Sequence, residues 1–246
     1  PILANMTLDG IEKMLSDSFP SKKVYFIRYA DDFLVTAPTE TVAEEACMLI
    51  QGFLTERGLE LSKEKTVITH IDSGFDYLGW HFRKYKGVLL IKPSLKSIES
   101  IRRKIYEIIH IGRSWTQDQL VQALNPVIKG WTQYHRHIVA KETFREMDFY
   151  LWNMLWYWAK RRHHNKGHKW IVNRYWHSDK NRNWVFQTPT HRLVQFSETK
   201  IVRHYMPKLN ANPFLDRDYF RERKDRMKRV ASDIQTISNP SYLAAR

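Results

Sequence analysis

Residues 23–38, KVYFIRYADDFLVTAP, set Asp31 beside Asp32 between two apolar runs. Positions 24–30 and 33–37 are rich in β-branched and aromatic residues, so the stretch reads as strand, two-residue turn, strand, with both carboxylates at the apex. A turn chosen for folding alone would carry Asn-Gly or Asp-Gly, which accept positive φ. Two ionised carboxylates about 5 Å apart repel by roughly 3 kcal/mol at an effective dielectric of about 20. Three readings stand. The pair is a solvated turn, in which water screens the repulsion. It is a calcium-type loop, although no further acidic residues follow at the alternating spacing. Or it is a divalent-metal site on rigid, buried strands, where Mg²⁺ cancels the repulsion and bridges phosphate oxygens.

Outward from the hairpin, the sequence predicts an α+β chain. Residues 2–15 carry apolar positions at helical spacing, interrupted by Gly10. Thr41 and Glu44 form an expected capping box for a helix with Val42, Ala46, Leu49 and Phe53 inward, stopped at Gly58. Residues 59–71 read as extended. A second hairpin is expected from 75–82 and 88–91, turned at Lys86-Gly87. From Ser94 the period becomes helical: Leu95, Ile98, Ile101, Ile105 and Ile108 line one face. Thr116 and Gln119 cap the next helix, in which Pro126 predicts a kink or break. A third helix is expected over 141–160 and another over 218–230. Boundaries near residues 93 and 162 divide the chain into 1–93, 94–162 and 163–246, the last irregular.

The 246 residues allow a substantial core, and 43% apolar content excludes disorder. Cys47 stands alone, which excludes an internal disulfide and a zinc site built on cysteine pairs. No run of about 18 apolar residues occurs, and no signal-peptide pattern opens the chain, so a soluble, intracellular protein is expected. The charge of +14 is uneven: residues 1–159 hold 20 Lys and Arg against 19 Asp and Glu, whereas 160–246 hold 20 against 7. A cationic final third studded with Trp and Tyr favours a polyanion, nucleic acid above all. His163, His164 and His168 cluster among cations without neighbouring carboxylates, which fits phosphate contact or plain surface better than a metal site. Asn5-Met6-Thr7 matches a glycosylation acceptor but sits in an expected helix.

Tyr29-Ala30-Asp31-Asp32 resembles the YxDD hairpin of reverse transcriptases, and further blocks in order resemble group II intron-encoded proteins. Pro1-Ile2-Leu3-Ala4-Asn5 resembles the segment directly after that family's PQGG block. Leu61-Ser62-Lys63-Glu64-Lys65-Thr66 is similar to its next block, and Tyr77-Leu78-Gly79-Trp80 to its primer-grip hairpin. Gly130-Trp131-Thr132-Gln133-Tyr134 resembles its maturase, or thumb, helices. Arg203-His204 and Tyr219-Phe220-Arg221-Glu222-Arg223 resemble its DNA-binding segment.

The resemblance implies a fold and a chemistry: the end of a polymerase palm, an all-helical thumb/maturase domain and a basic DNA-binding tail. Asp31 and Asp32 would be catalytic, coordinating Mg²⁺ in a two-metal nucleotidyl transfer. Tyr29 would lie near the primer–template, Lys63 and Lys65 would touch phosphate, and Gly79-Trp80 would approach the primer terminus. Core packing for Trp80 and a solvated turn for the two lysines are the alternatives. Arg102, Arg103, Lys104, Lys129, Arg136, Arg161 and Arg162 are candidates for phosphate contact. Implied partners are group II intron RNA, target DNA, dNTP and primer–template, in a bacterial cytoplasm or an organelle. The family's first catalytic aspartate lies upstream of the PQGG block and is not among these residues. The chain by itself is therefore expected not to polymerise, and to be a fragment or one half of a split assembly. A splicing cofactor that binds RNA without synthesis is the rival, with a reverse transcriptase of another bacterial lineage behind it. The cysteine-dependent endonuclease domain of some members is not expected here.

Overall fold

A computed structural model of the chain describes residues 2–21, 23–179, 182–202, 206–208, 211–212 and 214–237. They form two compact units, Pro1–Ile201 and Val202–Arg246. The first opens with α1 (Ile2–Leu8) and α2 (Ile11–Ser18), divided where Gly10 takes φ 97°. Strands β1 (Tyr25–Tyr29) and β2 (Asp32–Thr36) then pair antiparallel, Tyr25 opposite Thr36 and Tyr29 opposite Asp32. Only one face of this hairpin is covered. Phe26, Phe33 and Val35 pack inward, while Tyr25, Ile27 and Tyr29 are at least half exposed, so the expectation of buried strands holds for one side alone.

Helix α3 (Glu40–Thr55) starts earlier than the capping box suggested. Thr39 is the N-cap, its hydroxyl accepting from Val42 N at 3.4 Å. This start puts Val42, Ala46, Ile50 and Leu54 on the buried face, an unbroken i, i+4 row, and leaves Leu49 and Phe53 beside it. Gly58, at φ 69°, ends the helix: its N–H reaches Thr55 O at 3.0 Å and Leu59 N–H reaches Leu54 O at 2.9 Å, a left-handed stop that suits glycine. Residues 59–71 form no strand; they turn at Ser62, whose carbonyl accepts from Thr66 N at 2.9 Å.

The second hairpin is a three-stranded meander of β3 (Phe75–Tyr77), β4 (Trp80–Tyr85) and β5 (Val88–Pro93). Both turns, Leu78-Gly79 and Lys86-Gly87, have two successive positive φ values, the geometry that matches strand twist in two-residue hairpins. Three long helices follow: α4 (Leu95–Ile111), α5 (Gln117–His135) and α6 (Lys141–Arg162). Ser94 caps α4, and Thr116 with Gln119 makes the expected box on α5. Pro126 does not break α5. It lies on the exposed side between buried Leu124 and Ile128.

Residues 163–201, expected as irregular, are ordered. Helix α7 (His168–Tyr175) runs into a hairpin of β6 (Trp176–Asp179) and β7 (Arg182–Phe186), and a 3-10 turn (Phe196–Glu198) follows. Ile171, Tyr175, Trp176, Phe186, Leu193 and Phe196 join one core with α4, α5 and α6. Charged pairs and caps staple this segment down: Asp148 accepts from Phe196 N at 2.7 Å and Ser197 N at 3.0 Å, and Asp118 accepts from Thr190 and, at 2.9 Å, His191 Nδ1. The periodicity was too short to show this from sequence, because the segment is buried by its aromatics and fastened by side-chain-to-backbone bonds.

In the second unit, α8 (Arg217–Ile237) covers the expected charged helix and runs beyond it. Tyr219 OH accepts from Lys208 N at 2.9 Å, with the Lys208 ammonium 5.2 Å from its ring. Arg203 and His204 lie outside the described residues.

Candidate nucleic-acid interface

The acidic apex is exposed, and its turn lies one residue earlier than expected. Because Tyr29 pairs with Asp32, the turn residues are Ala30 and Asp31, and Asp32 is the first residue of β2. Ala30 takes the left-handed conformation, φ 55°. Arg28 steadies the turn from inside, its Nη1 donating to Ala30 O at 3.2 Å and to Asn5 Oδ1 on α1 at 2.9 Å. Asp31, Asp32 and Tyr29 all face solvent. Both carboxylates are hard oxygen donors. Among the described residues no group of three or more His, Cys, Asp or Glu gathers to hold a metal, neither here nor at His163, His164 and His168.

A chain of tyrosines ties this apex to the meander and to α5. Tyr77 OH donates to Asp32 O at 3.3 Å, and Tyr134 OH donates to Leu78 O at 2.5 Å. Burial raises the Tyr77 phenol, with the Asp32 charge adding to it; burial also raises Tyr134, and Tyr29 contributes. Tyr77, Leu78, Gly79, Ser97 and Trp131 line an open cleft of about 450 Å³ beside them. Gly79 is required by its φ of 78° rather than by crowding, since an added Cβ would meet Ser97 and Tyr134 only at 3.9 Å. Trp80 is half-buried, 5.4 Å from the Tyr134 ring and packed on the helical core, with its indole N–H enclosed and unpartnered among the described residues. Its packing alternative is therefore what the contacts display.

Under the cleft floor lies a histidine that sequence reasoning missed. His135 is fully buried. Ser97 Oγ accepts from Trp131 Nε1 at 3.1 Å and shares a hydrogen bond with His135 Nε2 at 3.0 Å. Burial holds the imidazole down at about 4. It is neutral and structural, and its place after Tyr134 in the Gly-Trp-Thr-Gln-Tyr block was the only available signal.

The candidate phosphate contacts divide. Lys63 and Lys65 stand exposed on the turn after α3, without an ion-pair partner among the described residues. Lys104, Lys129 and Arg161 are likewise exposed, while Arg103 lies 4.0 Å from Glu107. Arg102 is half-buried over the Tyr150 ring at 5.5 Å, and Arg136 donates to Gln133 Oε1 at 2.6 Å. Arg162 is largely spent on structure: its Nη1 donates to Arg113 O and Trp115 O, each at 2.9 Å, and its guanidinium covers Trp158 at 4.8 Å.

Two family models match in the order of these elements. Residues 1–82 match the reverse transcriptase (RNA-dependent DNA polymerase) model, and residues 98–176 match the group II intron maturase-specific domain. The chain is thus similar first to a reverse transcriptase and then to the maturase-specific domain of group II introns. Its apex and β3 fall in the reverse transcriptase match, which ends within β4, while α5, α6, α7 and all but the first turn of α4 fall in the maturase match. It is similar to maturase-like protein 1 of Euglena gracilis, 26% identical over 140 residues, and of Euglena longa, 28% identical over 139. Each alignment covers 55% of this chain and 28% of the relative, so the chain spans little more than a quarter of the curated relatives it matches. Among the described residues no helix is long and apolar enough to cross a membrane.

Proposed function

We propose that the chain is part of a group II intron reverse transcriptase/maturase that binds intron RNA to assist splicing and copies RNA into DNA during intron mobility. In this reading residues 1–93 end the palm, 94–162 form the thumb that grips intron RNA, and basic residues beyond 162 contact target DNA. The observation that carries it is the Tyr77 bond to the Asp32 carbonyl, which couples the exposed acidic hairpin to the cleft and, through Leu78 and Tyr134, to the maturase-matched helices. The two carboxylates suit Mg²⁺, which is held by one or two carboxylates with phosphate oxygens completing its shell. Bound there, Mg²⁺ would neutralise charge during phosphodiester synthesis.

The chain's own residues position the substrates. Tyr29 offers an exposed ring beside the apex to the primer–template, and Gly79 brings main chain to the surface next to it. Lys63, Lys65, Lys104, Lys129 and Arg161 offer free cations to phosphates, a sequence-independent grip with steep salt dependence. A bacterial cytoplasm or an organelle is the compartment such an activity serves. In the full-length gene product, Asp31→Ala abolishes Mg²⁺-dependent primer extension and leaves RNA affinity nearly unchanged. Extension surviving that substitution sinks the catalytic assignment and favours a splicing cofactor that only binds RNA.

A further inference from the structure

Helices α4 and α6 lie side by side and point the same way. Tyr150 OH donates to Arg102 O at 3.2 Å, Trp158 Nε1 to Gly112 O at 2.8 Å and Arg162 to Arg113 O at 2.9 Å, so both chains advance together toward one end. At that end both helices line a cleft of about 310 Å³. Its base is apolar, made by Met154 and buried Trp158. One tyrosine lines it from each helix: Tyr106, 49% exposed, and Tyr157, 66% exposed. The Tyr157 ring is exposed, and Tyr106 is tilted 34° against the His110 ring at 5.5 Å while keeping part of its surface open.

The rim is cationic. Arg113 and Arg161 line the cleft and no carboxylate does. The negative ends of two parallel helices would ordinarily repel an anion here. Arg162 offsets that by donating to the carbonyls of Arg113 and Trp115, which leaves Arg161 uncommitted. His110 Nδ1 accepts from Arg113 Nη2 at 2.5 Å, so its Nε2–H remains as a donor at the cleft wall. Flat π faces, an apolar floor, an imidazole N–H donor and two guanidinium groups match a nucleobase carrying a phosphate. A paired base does not fit, because its faces are already stacked and its edges are engaged; unpaired nucleotides are what aromatic platforms capture.

Resting on the RNA-binding reading above, we propose that this cleft holds one unpaired ribonucleotide of the bound RNA. Its base stacks on Tyr157 and Tyr106, and its phosphate sits between Arg161 and Arg113. The RNA partner therefore presents a loop, bulge or free single strand to the C-terminal ends of α4 and α6, rather than continuous duplex.

The probe is a short single-stranded oligoribonucleotide carrying 2-aminopurine, compared with the same strand annealed to its complement. Wild-type chain quenches the single-stranded probe. Tyr157→Ala and Tyr106→Ala each weaken single-strand affinity roughly ten-fold and remove the quench, whereas Tyr157→Phe retains both. Arg161→Gln lowers the dependence of log affinity on log salt by about 0.7. Duplex affinity stays as in wild type in every tyrosine variant. Both tyrosines are on the surface, and unchanged melting temperatures check that the fold is intact. Single-strand binding undiminished by the alanine substitutions, or an equal loss on duplex, overturns the pocket while leaving RNA binding standing. No binding of either RNA by the wild-type chain would overturn the proposed function along with it.

Discussion

The acidic hairpin and the maturase-matched helices hold their functional groups in opposite ways. Around the hairpin, seven buried residues among those described, from α2, α3 and Phe19, make the core, and the outer face of β1 is bare. Around α4, α5 and α6 a cluster of 21 buried residues reaches from Ile101 to Phe196, with Trp158 wedged against Tyr175 and Phe186. The hairpin groups are thus positioned by a few directional bonds at the periphery, those of Arg28 and Tyr77. The helical groups are positioned by bulk packing beneath them. Chemistry and stability should therefore separate in the first region and fall together in the second.

The largest expected effect breaks that contrast most directly: Asp31→Ala should take primer extension to background while the melting temperature stays put, because Asp31 is exposed. A large fall in melting temperature would mean the apex is structural. Next, Phe144→Ala should destabilise the helical body by about 3–5 kcal/mol, since a fully buried ring leaves a cavity that close-packed neighbours cannot fill. Chemical denaturation measures it, and a cost below about 1 kcal/mol would show the core to be loosely packed.

The pH dependence sharpens the comparison on the helical side. His135 titrates at about 4 in the folded chain against its ordinary 6.5. Between those values the unfolded chain binds the extra proton, so stability rises with pH and is lost as pH falls from about 6.5 toward 4. Going from about pH 7 to about pH 5 should cost on the order of 2 kcal/mol through this group. Denaturation at the two pH values tests it, and His135→Gln should flatten the difference; an unchanged slope would place the titration elsewhere. The smallest effect belongs to Tyr77→Phe, which removes one peripheral hydrogen bond worth about 1 kcal/mol. Extension should slow while RNA affinity holds, and equal loss of both would show that Tyr77 supports the cleft rather than the apex.

Much of the α+β architecture was legible because its signals are local. Ser94, Thr116 with Gln119, Gly58 and Lys86-Gly87 mark element ends through backbone chemistry that acts within four residues. The paired carboxylates were visible for the same reason, whereas the Leu78-Gly79 turn was not, since residues 75–82 read as one strand. What failed needed a partner distant in sequence. The α3 start depended on which of two threonines brought Val42 and Ile50 to the core, and the apex register on Tyr29 pairing with Asp32. On both sides of residue 162 the side chains share one core, since Ile171, Tyr175 and Phe196 are buried against helices α4, α5 and α6. Truncation after residue 159 would thus unfold the body instead of removing a basic tail.

By itself, the sequence determined where helices and turns begin and which residue types are available for metal, phosphate and stacking contacts. Tertiary structure alone decided which of those groups are free. Arg162 is drawn onto main-chain carbonyls and His135 is sealed and neutral, while Arg161, Tyr106 and Tyr157 are left facing a cleft. The reason is physical: capping and periodicity are set by neighbours along the chain, whereas desolvation and the pairing of a charge depend on which surfaces meet when the helices pack.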